Sequence, residues 1–146
     1  QKSQYNQILI DCPPSLSLLT IMSLVASDSV IIPLQTEFFA LEGVSQLIKT
    51  IERVKQSLNP NLIIQGVILT MFDKRNKLSG QVEEEARKYF GSKVYKTVIP
   101  RNVRISEAPS HGLPVILYDE NSTVSVSYKE LSNEILSQKD LDIEAA

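Results

Sequence analysis

An α/β fold is predicted, a doubly wound and mostly parallel sheet, on two observations. Strand-like and helix-like segments alternate along the chain. The strand-like runs are short, β-branched and apolar at successive positions, as in strands covered by helices on both faces.

Each element has its own signal. Tyr5 to Ile10 reads as a strand around the run Ile8-Leu9-Ile10, ended by Pro13-Pro14, which cannot continue a ladder. Ser15 or Ser17 is placed to cap a helix that reaches Ala26. Ser29 to Pro33 is a second strand. Leu41, Val44, Leu47, Ile48, Ile51, Val54 and Leu58 follow helical spacing, so a helix is predicted over about 41–58, stopped by Asn59-Pro60-Asn61. Ile63 to Thr70 is a third strand. A polar loop, Asp73 to Lys77, leads to a helix over about Ser79 to Phe90, with Gly91 where a C-cap glycine belongs. Val94 to Ile99 is a fourth strand. Arg101 to His111 reads as loop plus short helix, Pro114-Val115-Ile116 as extended, and Val124 to Leu136 as a last helix. No repeat or linker divides the chain, so residues 1–138 form one unit, followed by an acidic tail, 139–146.

The composition is that of a globular protein. The 146 residues are 42% hydrophobic and 22% charged, and domains cluster near about 100–150 residues. No run approaches the roughly 18 apolar residues of a membrane span, so no membrane association is expected. A single cysteine, Cys12, excludes an internal disulfide and a cysteine-rich metal site and favours the cytoplasm. The five glycines are never closer than 11 residues, so there is no Gly-rich phosphate loop. The chain starts at Gln1 and enters an apolar run by Ile8, and so reads as entered part-way through a larger domain.

The net charge of −2 is unevenly spread. Residues 1–72 carry −1, residues 73–104 carry +5, and residues 105–146 carry −6. A basic middle suits phosphate or nucleic acid. On charge alone a solvated helix face is the better reading, because Glu83-Glu84-Glu85 sits beside Arg87-Lys88.

Parallel sheets place ligands beyond the carboxyl ends of their strands, so those ends hold the candidate residues. Asp11 follows three apolar residues, the form of a Walker-B aspartate that holds a nucleotide's magnesium. A strand-end acid capping its own turn has the same form. Thr70-Met71-Phe72-Asp73 closes a strand, and Met71 and Phe72 suit either a purine face or the core. Arg101 and Arg104 suit phosphate oxygens. Interleaved aromatics for stacking single strands are missing, as is a recognition helix, so any nucleic-acid contact would be to the backbone. Cys12 and His111 do not read as a nucleophile–base pair, since nothing brings them together and His111 lies in a turn sequence.

Four stretches carry a resemblance: Ile8-Leu9-Ile10-Asp11-Cys12-Pro13-Pro14-Ser15, then Ile32 to Gly43 (IPLQTEFFALEG), then Gly66 to Asp73 (GVILTMFD), then Val98 to Ser110 (VIPRNVRISEAPS). In order and without obvious gaps from Tyr5 to Leu136, they resemble the ParA/Soj-type chromosome-partitioning ATPases, deviant Walker-A relatives of MinD. The resemblance implies a P-loop NTPase-like sheet lacking its N-terminal portion, with the chain beginning at the Walker-B strand. It implies ATP and magnesium as cofactors, dimers around two nucleotides, DNA binding without sequence preference, and a ParB-type partner that stimulates hydrolysis. Asp11 then matches the Walker-B acid, as catalytic and metal-holding residue. Met71, Phe72, Pro100, Arg101 and Val103 match the loops around the adenine, and Arg75 and Arg104 the arginines implicated in DNA contact. This agrees with the basic 73–104 segment and implies a cytoplasmic, nucleoid-associated protein.

Nothing here matches the family's phosphate loop or its switch acid. Ser17, Met22, Leu113 and Thr123-Val124-Ser125 also depart from the family pattern. The chain alone is therefore expected to bind ATP weakly and not to hydrolyse it. It is expected to self-associate, because half a sheet leaves apolar surface open. The alternative is a non-catalytic DNA- or partner-binding module. A receiver or flavodoxin-like domain is excluded by the lack of clustered acids at the strand ends.

Overall fold

Three parallel strands form the sheet, in the order β1 (Ser29–Gln35), β2 (Ile63–Phe72), β3 (Val94–Pro100). The computed structural model describes residues 4–13, 17–37 and 40–144. Helix α1 (Leu18–Ala26) precedes β1, α2 (Ala40–Ser57) joins β1 to β2, and α3 (Lys77–Phe90) with a 3-10 turn joins β2 to β3. After β3 come α4 (Val103–Glu107), a 3-10 turn (Ala108–His111), α5 (Val115–Tyr118) and α6 (Thr123–Glu144).

The two sheet faces have separate cores. Val30, Ile32 and Leu34 of β1, Ile64, Val67 and Leu69 of β2, and Val94 and Val98 of β3 pack with Leu24 of α1, Val44, Ile51 and Val54 of α2, and Ala86 of α3. Consecutive parallel strands laid side by side send their crossovers over the same face, and α2 and α3 obey this. The alternate residues Ile31, Ile68, Tyr95 and Ile99 point the other way, onto Ile105, Val115, Val124 and Leu131. This is the both-faces burial that the apolar strands predict.

Local chemistry sets the helix ends. Asn59 follows α2, and its side-chain amide donates to the carbonyls of Leu24 (3.1 Å), Val25 (3.3 Å) and Ser27 (2.8 Å), closing the end of α1. Asn76 caps α3 by accepting from the Leu78 N–H, and Gly91 takes φ 59° while its N–H donates to the Arg87 carbonyl. Ser17 stands at the N-cap of α1 without a side-chain cap bond. Ser15, the other expected cap, and Pro14 lie outside the described residues.

Three expectations change. Tyr5–Ile10 forms no strand, and Leu9 is 87% exposed. An apolar run signals a need for burial but not a partner. Among the described residues no strand lies beside the outer edge of β1, so this run is not added to the sheet. Pro114-Val115-Ile116 is not extended. The Pro114 carbonyl accepts from the N–H groups of Leu117 (2.9 Å) and Tyr118 (3.0 Å), starting α5, and Val115 packs into the second core. The last helix continues past Leu136 to Glu144. Among the described residues, no helix is long and apolar enough to cross a membrane.

The outer edge of β3 is closed by side chains. Three residues, 95–97, lie between the pairings Val67↔Val94 and Leu69↔Val98, opposite Ile68 alone. Their displaced backbone groups find other partners. The Glu134 carboxylate on α6 accepts from the N–H groups of Lys96 (2.6 Å) and Thr97 (3.0 Å). The Arg87 guanidinium on α3 donates to the carbonyls of Tyr95 (3.2 Å) and Lys96 (3.4 Å). Partial burial works to raise the Glu134 pKa, but the two backbone N–H donors outweigh it and hold the carboxyl below its ordinary range.

Gly66 is fixed by this arrangement. A Cβ on it would lie 2.4 Å from Cε2 and 2.6 Å from Cζ of Tyr95, whose ring is wholly buried. The Tyr95 hydroxyl has no hydrogen-bond partner among the described residues, and burial, then the Glu134 charge, push its pKa up. Gly66→Ala is therefore expected to cost ~1–3 kcal/mol by overpacking, measured by urea denaturation. In a Tyr95→Leu background the same change should cost clearly less. Equal costs in the two backgrounds would show that the ring is not what excludes the methyl group.

Candidate functional site

The carboxyl ends of the three strands are tied to one another. Thr36, directly after β1, is 2% exposed, and its N–H donates to the Thr70 carbonyl at 3.0 Å. Its hydroxyl reaches the carbonyls of Met71 (3.2 Å) and Thr70 (3.3 Å) and the Ser79 hydroxyl (3.4 Å). Ser79, in the first turn of α3 and also 2% exposed, donates to the Thr36 carbonyl (3.4 Å) and accepts from the Asp73 N–H (3.5 Å). A threonine hydroxyl thus does work that β2 cannot do for itself at its end.

That end is strained. Met71 has φ 55°, and it is the non-glycine residue with positive φ among the described residues. Such a conformation costs on the order of 1 kcal/mol or more and persists only where surrounding bonds over-determine it. Here the bonds from Thr36 hold the Met71 carbonyl on one side. On the other, the Arg101 N–H donates to the Phe72 carbonyl at 2.9 Å. Arg101 also reaches across β2 to the loop after β1, where its guanidinium meets the Glu37 carboxylate at 2.8 Å. Met71, Phe72 and Pro100 are half-buried, while Arg101 and Val103 are exposed. The structure therefore gathers the five residues expected around a purine at the ends of β2 and β3.

The two arginines expected to contact DNA leave from the same side of the sheet and carry internal partners. Arg75 lies in the loop between β2 and α3. Its Nε donates to Asp73 Oδ1 (3.1 Å), its Nη2 to Asp73 Oδ2 (3.0 Å), and its backbone N–H to Oδ1 (3.0 Å). The Arg75 side chain is nonetheless 90% exposed. Arg104, in α4, pairs with Glu107 (2.9 Å) and Asp119 (3.1 Å), and Tyr118 donates to the same Glu107 carboxylate at 3.4 Å. Asn102 caps α4 by accepting from the Arg104 N–H (2.8 Å).

Asp11 is not drawn into this group. It lies in the exposed stretch 4–13, which forms no strand. Among the described residues no three His, Cys, Asp or Glu side chains come together to hold a metal ion. The described residues thus bring Met71, Phe72, Pro100 and Val103 to neighbouring strand ends, and gather no cluster of metal-ligating side chains around Asp11. Cys12 is exposed and its thiol donates to the Ile10 carbonyl at 3.8 Å, while His111 stacks on Tyr118 with ring centroids 4.8 Å apart.

Sequence reading missed Thr36, Ser79, Glu37, Glu107 and Asp119. The spacing Asp73-x-Arg75, an acid two residues before an arginine in a polar loop, was a usable signal for a local turn. Nothing in the sequence shows that the Thr36 and Ser79 hydroxyls are buried together.

The bond from the Arg75 side chain, then that from its backbone, brings the Asp73 pKa from 3.8 to about 2. A carboxylate held below its unfolded value adds stability above that value and loses it as pH falls through the folded one. The Asp73–Arg75 contribution should therefore be complete above about pH 4 and vanish toward pH 2. A carboxyl NMR titration should place Asp73 near 2, and Arg75→Ala should return it toward 3.8. An unmoved midpoint would mean that another group sets it.

Comparison with known proteins adds to this geometry. A family model described as an AAA domain matches residues 1–64. The chromosome partitioning protein ParA of Caulobacter vibrioides is 58% identical over 135 residues, covering 92% of this chain and 51% of that protein. The sporulation initiation inhibitor protein Soj of Bacillus subtilis is 60% identical over 134 residues, covering 92% of this chain and 53% of that protein. The chain spans about half the length of the curated relatives it matches. Among solved structures, cobyrinic acid a,c-diamide synthase from Mycobacterium smegmatis with bound ADP and magnesium superposes with a TM-score of 0.69 at 32% identity, covering 89% of this chain and 46% of that one.

Proposed function

Because the chain belongs to the ParA/Soj-type family of partitioning proteins over the 92% that it shares with them, we propose that it serves as the DNA-contacting half of a ParA-type partitioning ATPase. Arg75 and Arg104 contact the phosphate backbone of DNA without reading its sequence. The observation that carries this reading is the placement of both arginines, exposed, beyond the same carboxyl edge of the sheet, Arg75 in a loop and Arg104 in α4. Guanidinium groups there meet a rod of phosphates without needing a groove-filling helix.

Met71, Phe72, Pro100, Arg101 and Val103 would form the lip that receives the base of ATP, and Asp11 would be the residue to hold magnesium, which would neutralise phosphate charge. Bound ATP supplies the energy that times release from DNA, and a ParB-type partner stimulates its hydrolysis. The partitioning role places the protein on the nucleoid, in the cytoplasm. The unit responsible runs over residues 1–138.

By itself the chain should not turn over ATP. Phosphoryl transfer needs donors around the β- and γ-phosphates to stabilise the developing charge, and no Gly-rich loop in this sequence supplies them. Protein-dependent phosphate release from the purified chain would refute this. Self-association is expected through the apolar surface of Ile8, Leu9 and Ile10 and of Leu18, Leu19 and Met22 on α1, all exposed.

DNA contact is tested by binding to a duplex of arbitrary sequence across a salt series. The logarithm of the association constant should fall linearly with that of salt. Arg75→Ala/Arg104→Ala should flatten that slope by about 1–2. An unchanged slope and affinity would count against both arginines and favour a module that binds a protein partner without DNA.

A further inference from the structure

The Arg75 guanidinium is exposed yet electrically answered. Two of its five N–H groups are taken by both oxygens of Asp73. The outer edge faces solvent, so a phosphate can reach it. A phosphate that does so meets a pair of nearly zero net charge, and a contact of that kind displaces fewer counterions than a free arginine would. Asp73 is the first residue after β2, its N–H is fixed on the buried Ser79 hydroxyl, and that hydroxyl is fixed on Thr36. The carboxylate thus projects from a backbone that is anchored to the buried Thr36–Ser79 pair.

We propose that Asp73 is an affinity-setting residue, which holds Arg75 in position for the DNA backbone while partly cancelling its charge. This weakens the DNA contact enough for it to be reversed. The inference rests on the DNA reading above and adds to it a residue of opposite sign.

The two roles of Asp73 are separable by substitution. Its Oδ1 accepts the Arg75 backbone N–H and shapes the loop, and an asparagine oxygen at the same place can keep that bond. Asp73→Asn therefore removes the charge and keeps the turn. Asp73→Glu keeps the charge and serves as the control for a folded chain with a moved carboxylate.

The experiment measures fluorescence anisotropy of a labelled duplex of arbitrary sequence, over a sodium chloride series, with the purified chain and the variants Asp73→Asn, Asp73→Glu, Arg75→Ala and Asp73→Asn/Arg75→Ala. Asp73→Asn is expected to bind roughly threefold tighter, with a salt slope steeper by up to about 1. Asp73→Glu, which keeps the charge, should not show this gain. The gain must disappear when Arg75 is alanine. A loss of affinity in Asp73→Asn, or no change while Arg75→Ala weakens binding, overturns the proposal and leaves the DNA reading intact. A gain that survives in Asp73→Asn/Arg75→Ala also overturns it, because the charge then acts on DNA directly. No effect of Arg75→Ala, or no salt-dependent binding at all, overturns the DNA reading at Arg75 and the proposal with it.

Discussion

The candidate site depends on how the end of β2 is held where Met71, at φ 55°, falls in a break of register between β2 and β3. A break in register leaves backbone groups without ladder partners, and in a buried place they must be answered. The Thr36 hydroxyl and the Arg101 N–H answer them from the two neighbouring strand ends. The outcome is larger than one satisfied carbonyl. Three loops that approach from different parts of the sequence are locked together, and the residues they carry, Glu37, Asp73 and Arg101, come within reach of one another.

The same need shapes the edge of β3. Its displaced residues 95–97 expose backbone groups on a strand with no further neighbour among the described residues. Glu134 and Arg87, from helices on opposite faces, supply the acceptor and donors. This blunts an edge that would otherwise template pairing. Here the second core meets the sheet, with Tyr95 seated over Gly66. Among the described residues no strand covers the β1 edge, and α1 and the stretch before it carry exposed apolar residues.

Charge on the working face is organised as pairs. Arg75, Arg101 and Arg104 each meet at least one carboxylate. The +5 of residues 73–104 therefore overstates the field that a phosphate would feel. Surface ion pairs add little stability, so these pairs matter more for holding long side chains in place than for keeping the chain folded.

Alternation of strand and helix, apolar runs with no polar face, and four motifs in register determined the fold class, the likeness to ParA and Soj proteins and the strand ends where a site would lie. They identified Gly91, whose cap is a local backbone matter, and placed Arg75 after β2 and Arg101 and Arg104 after β3. Tertiary structure alone decided the rest. Whether Ile8–Ile10 is a strand depends on a partner, which periodicity does not report. Whether Pro114 begins an extended run or a helix depended on packing of Val115. The Thr36–Ser79 contact joins residues 43 apart in sequence, and each of the two is an ordinary hydroxyl until the sheet buries them together. Local sequence specifies what each segment can bury, but only the folded chain brings in the groups that answer what is left unpaired.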